Sequence, residues 1–154
     1  MIIAVDPGSK RAGLAVYDDH ELTSAWLVKG DSWYDTARAA YDSLEGRYPA
    51  MFLPHAEFVL ERPQIYPEAP FDQNDLVTIA MMVASLQGYL QSYRVIEYLP
   101  KQWKGQVPKE IMCERIWEKL SLEERSRVEL PRNKKHQLDV KDAIGLGRHH
   151  LERT

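Results

Sequence analysis

The sequence predicts an α/β protein: one mixed five-stranded sheet, a three-strand antiparallel meander joined to parallel strands, flanked by helices. Three observations predict it. Short apolar runs recur at Ile2 to Asp6, Gly13 to Tyr17 and Glu21 to Val28 with only turn residues between them, the pattern of a meander. Two later apolar runs, Phe58 to Leu60 and Val95 to Leu99, are each preceded by a helical pattern, and a helix between strands implies a right-handed crossover into a parallel arrangement. No internal repeat, low-complexity stretch or long polar linker interrupts the chain, so residues 1–154 read as a single domain.

Taken in order, Ile2 to Asp6 is β-branched and apolar, ends in a carboxylate and is broken by Pro7-Gly8-Ser9, as expected of a central strand. Asp18-Asp19-His20 supplies the turn between the second and third strands. From Asp31, a plausible N-cap, Trp33, Tyr34, Ala37, Ala40, Tyr41 and Leu44 recur at helical spacing until Gly46 and Pro49 close the segment. Phe58, Val59 and Leu60 form a second buried strand that again ends in a carboxylate, Glu61, before Pro63 stops it. A looser stretch from Pro63 to Asn74 holds three prolines, Tyr66 and Phe71, and then Asp75 to Tyr89 reads as a long apolar helix. After the strand Val95 to Leu99 comes a loop with Trp103 and Gly105, then a helix opened by Pro108 at a first-turn position. A capping box follows at Ser121 and Glu124, and a last helix runs from about His136 to His150.

Composition narrows the function classes. The chain is 44% apolar and 28% charged, which excludes disorder throughout. The single cysteine, Cys113, excludes an internal disulfide or a cysteine-rich zinc cluster and reads as a buried structural thiol on a helix face. No export signal is visible and no stretch reaches the roughly 20 apolar residues of a membrane helix, so a soluble, cytoplasmic protein without a membrane partner is expected. The net charge of −3 hides an asymmetry: residues 1–100 carry 7 basic and 14 acidic side chains, residues 101–154 carry 13 and 9. A basic final third suggests either a face that tolerates polyanions or a solvated mixed-charge surface.

The chemistry gathers at carboxylates. If the first strand and the Phe58 strand are neighbours, Asp6 and Glu61 share one end of the sheet. Like charges there imply a shared proton or a cation between them. Asp139 and Asp142, three apart on the last helix, project from one face and can close over the same site. Four oxygen donors with no paired histidine motif favour hard cations, Mg²⁺ or Mn²⁺, and two such ions suit phosphodiester hydrolysis. Ala143, Ile144, Gly145 and Gly147 on the same helix suit close packing against a sheet.

These residues carry a resemblance. "IIAVDPGSKRAGLAV" resembles the opening strand and turn of the RuvC-type Holliday junction resolvases, "FVLERPQIY" their Glu-bearing strand, and "DVKDAIGLGRHH" their carboxy-terminal helix with two acidic residues. The three stretches occur in the family's order over nearly the whole chain. The resemblance implies a ribonuclease-H-like fold in which Asp6, Glu61, Asp139 and Asp142 are both the catalytic and the metal-binding quartet. It implies two Mg²⁺ per site with Mn²⁺ as a substitute, a four-way DNA junction as substrate, and 5′-phosphate ends as product. The helix from Asn74 to Gly88 matches the one that family uses in forming its homodimer, and "LPKQWKGQVPKE" resembles a basic stretch of phage members, which suggests a viral source and a host cytoplasm. The alternatives are a less selective nuclease of flaps or RNA-DNA hybrids and a non-catalytic junction-binding module. An actin-like kinase also opens with a similar pattern, but this chain lacks a second Gly-rich phosphate loop and the length for two lobes.

Around the quartet, Lys101, Lys104, Lys109, Lys134 and Lys135 read as contacts to DNA phosphates or as solubilising surface. Trp103, between two lysines, reads as a stacking platform for an unpaired base or as a side chain packed on its own domain. His136, one turn before Asp139, reads as a general acid or base or as a plain helix-entry residue. On the long apolar helix, Ile79, Met81, Met82, Val83 and Leu86 span more than one face, which suggests a second copy of the chain covering the excess or a helix buried on all sides.

Overall fold

The computed structural model describes residues 1–49, 53–64, 72–90 and 93–152. Five strands form one sheet: β1 (Ile2–Pro7), β2 (Arg11–Asp18), β3 (Glu21–Lys29), β4 (Glu57–Glu61) and β5 (Arg94–Tyr98), in the order β3-β2-β1-β4-β5. The first three pair antiparallel, and β1–β4 and β4–β5 pair parallel. The expected meander and parallel extension are both present. The central strand β1 is sealed on both faces, with Ile3, Ala4 and Val5 fully buried, which is why its sequence is apolar without alternation.

Side-chain alternation divides the core into two layers. Ile3, Val5, Leu14, Val16, Phe58 and Leu60 point to the face covered by α1 (Trp33–Arg47) and α2 (Gln73–Tyr89). Ala4, Ala15, Tyr17 and Val59 point to the other face, where α6 (Lys134–Leu151) lies with α4 (Lys109–Lys119) packed on it. The small residues on this second face let α6 approach the sheet closely. Gly13 marks the tightest point, since a Cβ there would lie 2.0 Å from the carbonyl oxygen of Asp139. Gly13 is also the register partner of Asp6. One glycine therefore brings the acidic part of α6 over the end of β1.

Several boundaries differ from the sequence reading for local reasons. Ser32 rather than Asp31 caps α1, because its hydroxyl accepts from the Asp35 N–H, the third amide of the helix. The second helix starts at Gln73, capped by Asp72, and the last starts at Lys134, capped by Asn133. Pro108 stands at the N-cap of α4 rather than inside its first turn. Pro100–Trp103, expected as loop, forms a short helix, α3, with Pro100 in its first turn. The capping box at Ser121 and Glu124 opens α5 (Leu122–Ser126) as expected. Tyr66 and Phe71 lie outside the described residues. On α2, Met82, Val83 and Leu86 belong to the core, whereas Val77 and Met81 are exposed, so the apolar excess is narrower than the sequence suggested. Among the described residues no helix is long and apolar enough to cross a membrane.

Candidate active site

Parallel pairing of β1 with β4 aligns Val5 with Leu60, so Asp6 and Glu61 each follow the last aligned pair and emerge together at one end of the sheet. The helix α6 crosses above them and contributes Asp139 and Asp142 from one face. Asp142 is fully buried, Asp6 is buried, and Glu61 and Asp139 are partly buried. Four carboxylates in so little water would repel strongly if nothing lay between them.

Two ammonium groups lie between them. Lys104 Nζ is 2.8 Å from Glu61 Oε2 and 3.1 Å from Asp142 Oδ2. Lys109 Nζ is 3.0 Å from Asp142 Oδ2, 3.1 Å from Asp139 Oδ1 and 3.9 Å from Asp6 Oδ2. Arg11 Nε donates to Asp139 Oδ2 at 3.2 Å. Both lysines reach the site from the segment after β5, and Arg11 reaches it from the first residue of β2.

The electrostatics follow from burial and mutual charge. Burial pushes the Asp6 carboxyl well above its usual range; the charges of Asp142 and Glu61 add to this, and Lys109 and Lys104 offset part of it. For Lys104 and Lys109 burial alone would favour the neutral amine. The surrounding charges, Asp6 and Asp142 foremost, outweigh it and hold both ammonium groups above their ordinary pKa. The Cys113 thiol is buried with its sulfur 3.4 Å from Asp142 Oδ1, and burial together with that negative charge keeps it protonated, able to donate to the carboxylate. Trp103 Nε1 donates to Glu61 Oε2 at 2.8 Å.

The structure thus brings together Asp6, Glu61, Asp139, Asp142, Lys104 and Lys109, and it adds Arg11, Cys113 and Trp103 as contacts that sequence reasoning did not assign to the carboxylates. Lys104 and Lys109 sit inside the cluster rather than on an open surface. Lys134 and Lys135 line an adjoining groove with Arg11, Lys109 and Lys141. Lys101 is exposed on α3 and forms no ion pair with the four carboxylates among the described residues. His136 is held below its ordinary pKa by lost hydration and by Arg11 and Lys29, and its Nδ1 has no hydrogen-bond partner among the described residues. A signal for the missed contacts was present in "QWKGQVPK", where an aromatic and two lysines follow the edge strand, but nothing in it says that they turn inward.

As arranged, no three acidic, imidazole or thiol groups among the described residues converge closely enough to hold a metal, because the ammonium groups span the gaps between carboxylates. The donor set nonetheless fits a hard divalent cation. All four candidate donors are carboxylates, and three cationic side chains stand against their four formal charges.

Structural comparison places this architecture. The chain is similar to Thermus thermophilus RuvC at 19% sequence identity, covering 97% of this chain and 92% of that one with a TM-score of 0.57. The same enzyme in complex with a Holliday junction substrate matches with a TM-score of 0.61 at 18% identity, over 97% and 91% of the two chains. The fold is ribonuclease-H-like, of the RuvC type. The yeast mitochondrial Holliday junction resolvase Ydc2 shares this RuvC-type fold at 11% identity, with a TM-score of 0.52 over 98% of this chain and 79% of that one. No protein-family model and no curated protein matches the sequence.

Proposed function

We propose that the protein is a divalent-metal-dependent endonuclease that resolves four-way DNA junctions by paired symmetrical nicks. The observation that carries this reading is the convergence of Asp6, Glu61, Asp139 and Asp142 from two neighbouring strand ends and one helix, all within reach of the same two lysines. These four carboxylates would hold the metal, Mg²⁺ or Mn²⁺ in a pair. When bound, the metal would polarise the scissile phosphate and lower the pKa of an attacking water. Lys104 and Lys109 hold the carboxylates together and are the nearest cations to a phosphate entering the pocket. Arg11, Lys134 and Lys135 supply further positive charge along the groove that leads to it. The likeness to a resolvase captured on its Holliday junction substrate supports a branched-DNA substrate over a linear one.

The exposed apolar stripe of Val77 and Met81 on α2 supports a two-fold dimer, with Tyr34 on the neighbouring α1 also exposed. Two copies would present two sites to opposed strands of one junction.

The test is incubation with end-labelled four-way, three-way, flap and linear DNA in Mg²⁺, with every cut mapped. Paired nicks at symmetrical positions in the four-way substrate are the expected result. Equal cutting of flaps and junctions would make the protein a less selective nuclease, and junction binding with no cutting in Mg²⁺ or Mn²⁺ would make it a binding module. Lys101, Lys134 and Lys135 changed together to Ala should weaken binding to all sequences alike and lower the log-log salt slope by up to about one per lost phosphate contact.

A further inference from the structure

Trp103 takes one of the two roles its sequence position suggested, packing on its own domain in the layer under α6. The residue is 7% exposed, too covered to serve as a stacking platform, and its indole N–H is directed at the carboxylate cluster. The indole Nε1 donates to Glu61 Oε2 at 2.8 Å, the same oxygen that Lys104 Nζ reaches at 2.8 Å. We propose that Trp103 is a positioning residue that fixes the direction of the Glu61 carboxylate and so prepares it to receive a divalent cation. This rests on reading the site as a metal-dependent nuclease.

Glu61 has conformational freedom to lose. It sits at the last position of β4, where the strand's pairing ends, and a glutamate side chain left to itself samples many rotamers. Of the two donors that hold it, the Lys104 ammonium is long, flexible and positively charged, and a dication entering beside Glu61 would repel it. The indole N–H is neutral and rigid, so it can stay on Oε2 while the rest of the carboxylate turns to a metal. Neither donor binds Oε1, which leaves that oxygen to a ligand.

The indole is itself seated from behind. A Cβ at Gly145 would lie 2.9 Å from Trp103 Cζ3 and 2.3 Å from Ile116 Cδ1, so only glycine leaves room for the ring against α6. Gly145 is one turn beyond Asp142 on the same helix. The side chain is thereby wedged between the two carboxylate-bearing elements, β4 and α6, and it locks their separation as well as the direction of Glu61. Lys104 also lies 4.6 Å from the centre of the indole ring, a cation–π contact that ties the two donors together. Groups that orient a metal ligand in this way typically contribute 10–100-fold to metal affinity.

The hydrogen bond is tested first on metal-free protein. The indole N–H resonance of Trp103 is identified among the four tryptophans by its through-space contacts to protons of Gly145 and Ile116. It should move in Glu61→Leu while those of Trp26, Trp33 and Trp117 stay in place. An unmoved resonance would overturn the proposal, and this experiment stands even if Trp103→Phe folds poorly. Calorimetric titration with Mn²⁺ then tests the consequence. Trp103→Phe should bind roughly 10–100-fold more weakly than the wild type with unchanged circular dichroism, and Gly145→Ala, which displaces the ring, should weaken binding in the same direction. Wild-type Mn²⁺ affinity in folded Trp103→Phe would remove the positioning role and leave the nuclease reading intact. A wild-type protein that neither binds Mn²⁺ nor cuts DNA would end both.

Discussion

The two faces of the sheet are built from the same strands and do opposite work. Toward α1 and α2 the strands send large apolar side chains, and the layer they form contains no charge: Ile3, Leu14, Leu44, Phe58, Leu60, Met82 and Leu86 are all fully buried. Toward α6 they send mostly smaller side chains, Ala4, Ala15, Ala25 and Val59 beside Tyr17 and Leu22, and the helix that lies on them carries a fully buried aspartate. The difference teaches that the face carrying the proposed active site is the closely packed one. A carboxylate cluster needs its elements held within a few ångströms, and Gly13 beneath Asp139 allows that at the end of β1, while the opposite face can devote its volume to hydrophobic stabilisation.

Substitutions on the two faces should therefore separate activity from stability. The largest expected effect is that of Asp142→Asn on the functional face. It should raise the barrier to cleavage in Mg²⁺ by about 4 kcal/mol, roughly a thousandfold, since on the proposed reading it removes a metal ligand. Junction binding should persist or tighten because one negative charge is gone from a polyanion site. Wild-type cutting rates would remove Asp142 from the site. On the opposite face, Phe58→Ala should cost about 3–5 kcal/mol in urea denaturation through the cavity it leaves. Its cutting rate per folded molecule should be unchanged, and a rate that fell with the stability would erase the distinction between the faces.

Gly13→Ala should affect both properties. The added methyl group meets the backbone of Asp139 at 2.0 Å, so α6 must shift outward. A stability loss of about 1–3 kcal/mol accompanied by weaker metal binding is expected. Loss of stability alone would show that the carboxylates tolerate a displaced helix. The smallest effect is at the strap that joins the two faces around the β3 edge. Arg47 of α1 lies 4.4 Å above the Trp26 ring and pairs through both guanidinium nitrogens with Glu129, whose amide bonds to Ala25. Hydrogen bonds from Arg47 hold the Glu129 carboxyl below its ordinary value of 4.5. A carboxyl lowered on folding stabilises the native state above that value, and the contribution fades as pH falls through the lowered native pKa. Glu129 is largely exposed, so Glu129→Gln should cost less than about 1 kcal/mol at pH 7. Urea midpoints of the two proteins should converge toward pH 3; a difference that persisted there would assign the effect to packing on Trp26.

Much of this was legible without a structure, and the legible part shares one property. The five strands, the four longer helices, the two carboxylates at strand ends and the Asp139–Asp142 pair all rest on local periodicity, on turn residues or on a fixed spacing along one element. Such features are decided within a few residues of chain, so the amino-acid sequence determines them directly. Boundaries moved by one to three residues where neighbouring side chains competed for the same cap, as at Asp31 and Ser32.

What only the tertiary structure decided is the inward turn of the segment after β5. Lys104 and Lys109 read equally well as surface charge, and Trp103 as core or platform, because no local pattern distinguishes an ammonium facing water from one facing a carboxylate. Their partners are remote in sequence: Trp103 meets Glu61 across 42 positions, and Lys109 meets Asp139 across 30. The same holds for the apolar face of α2, where the sheet and α1 covered Met82, Val83 and Leu86 and left Val77 and Met81 outside. The physical reason is common to both. Burial, charge and hydrogen bonding at these positions depend on which elements lie opposite, and that is set by how α6 and α4 close over the sheet.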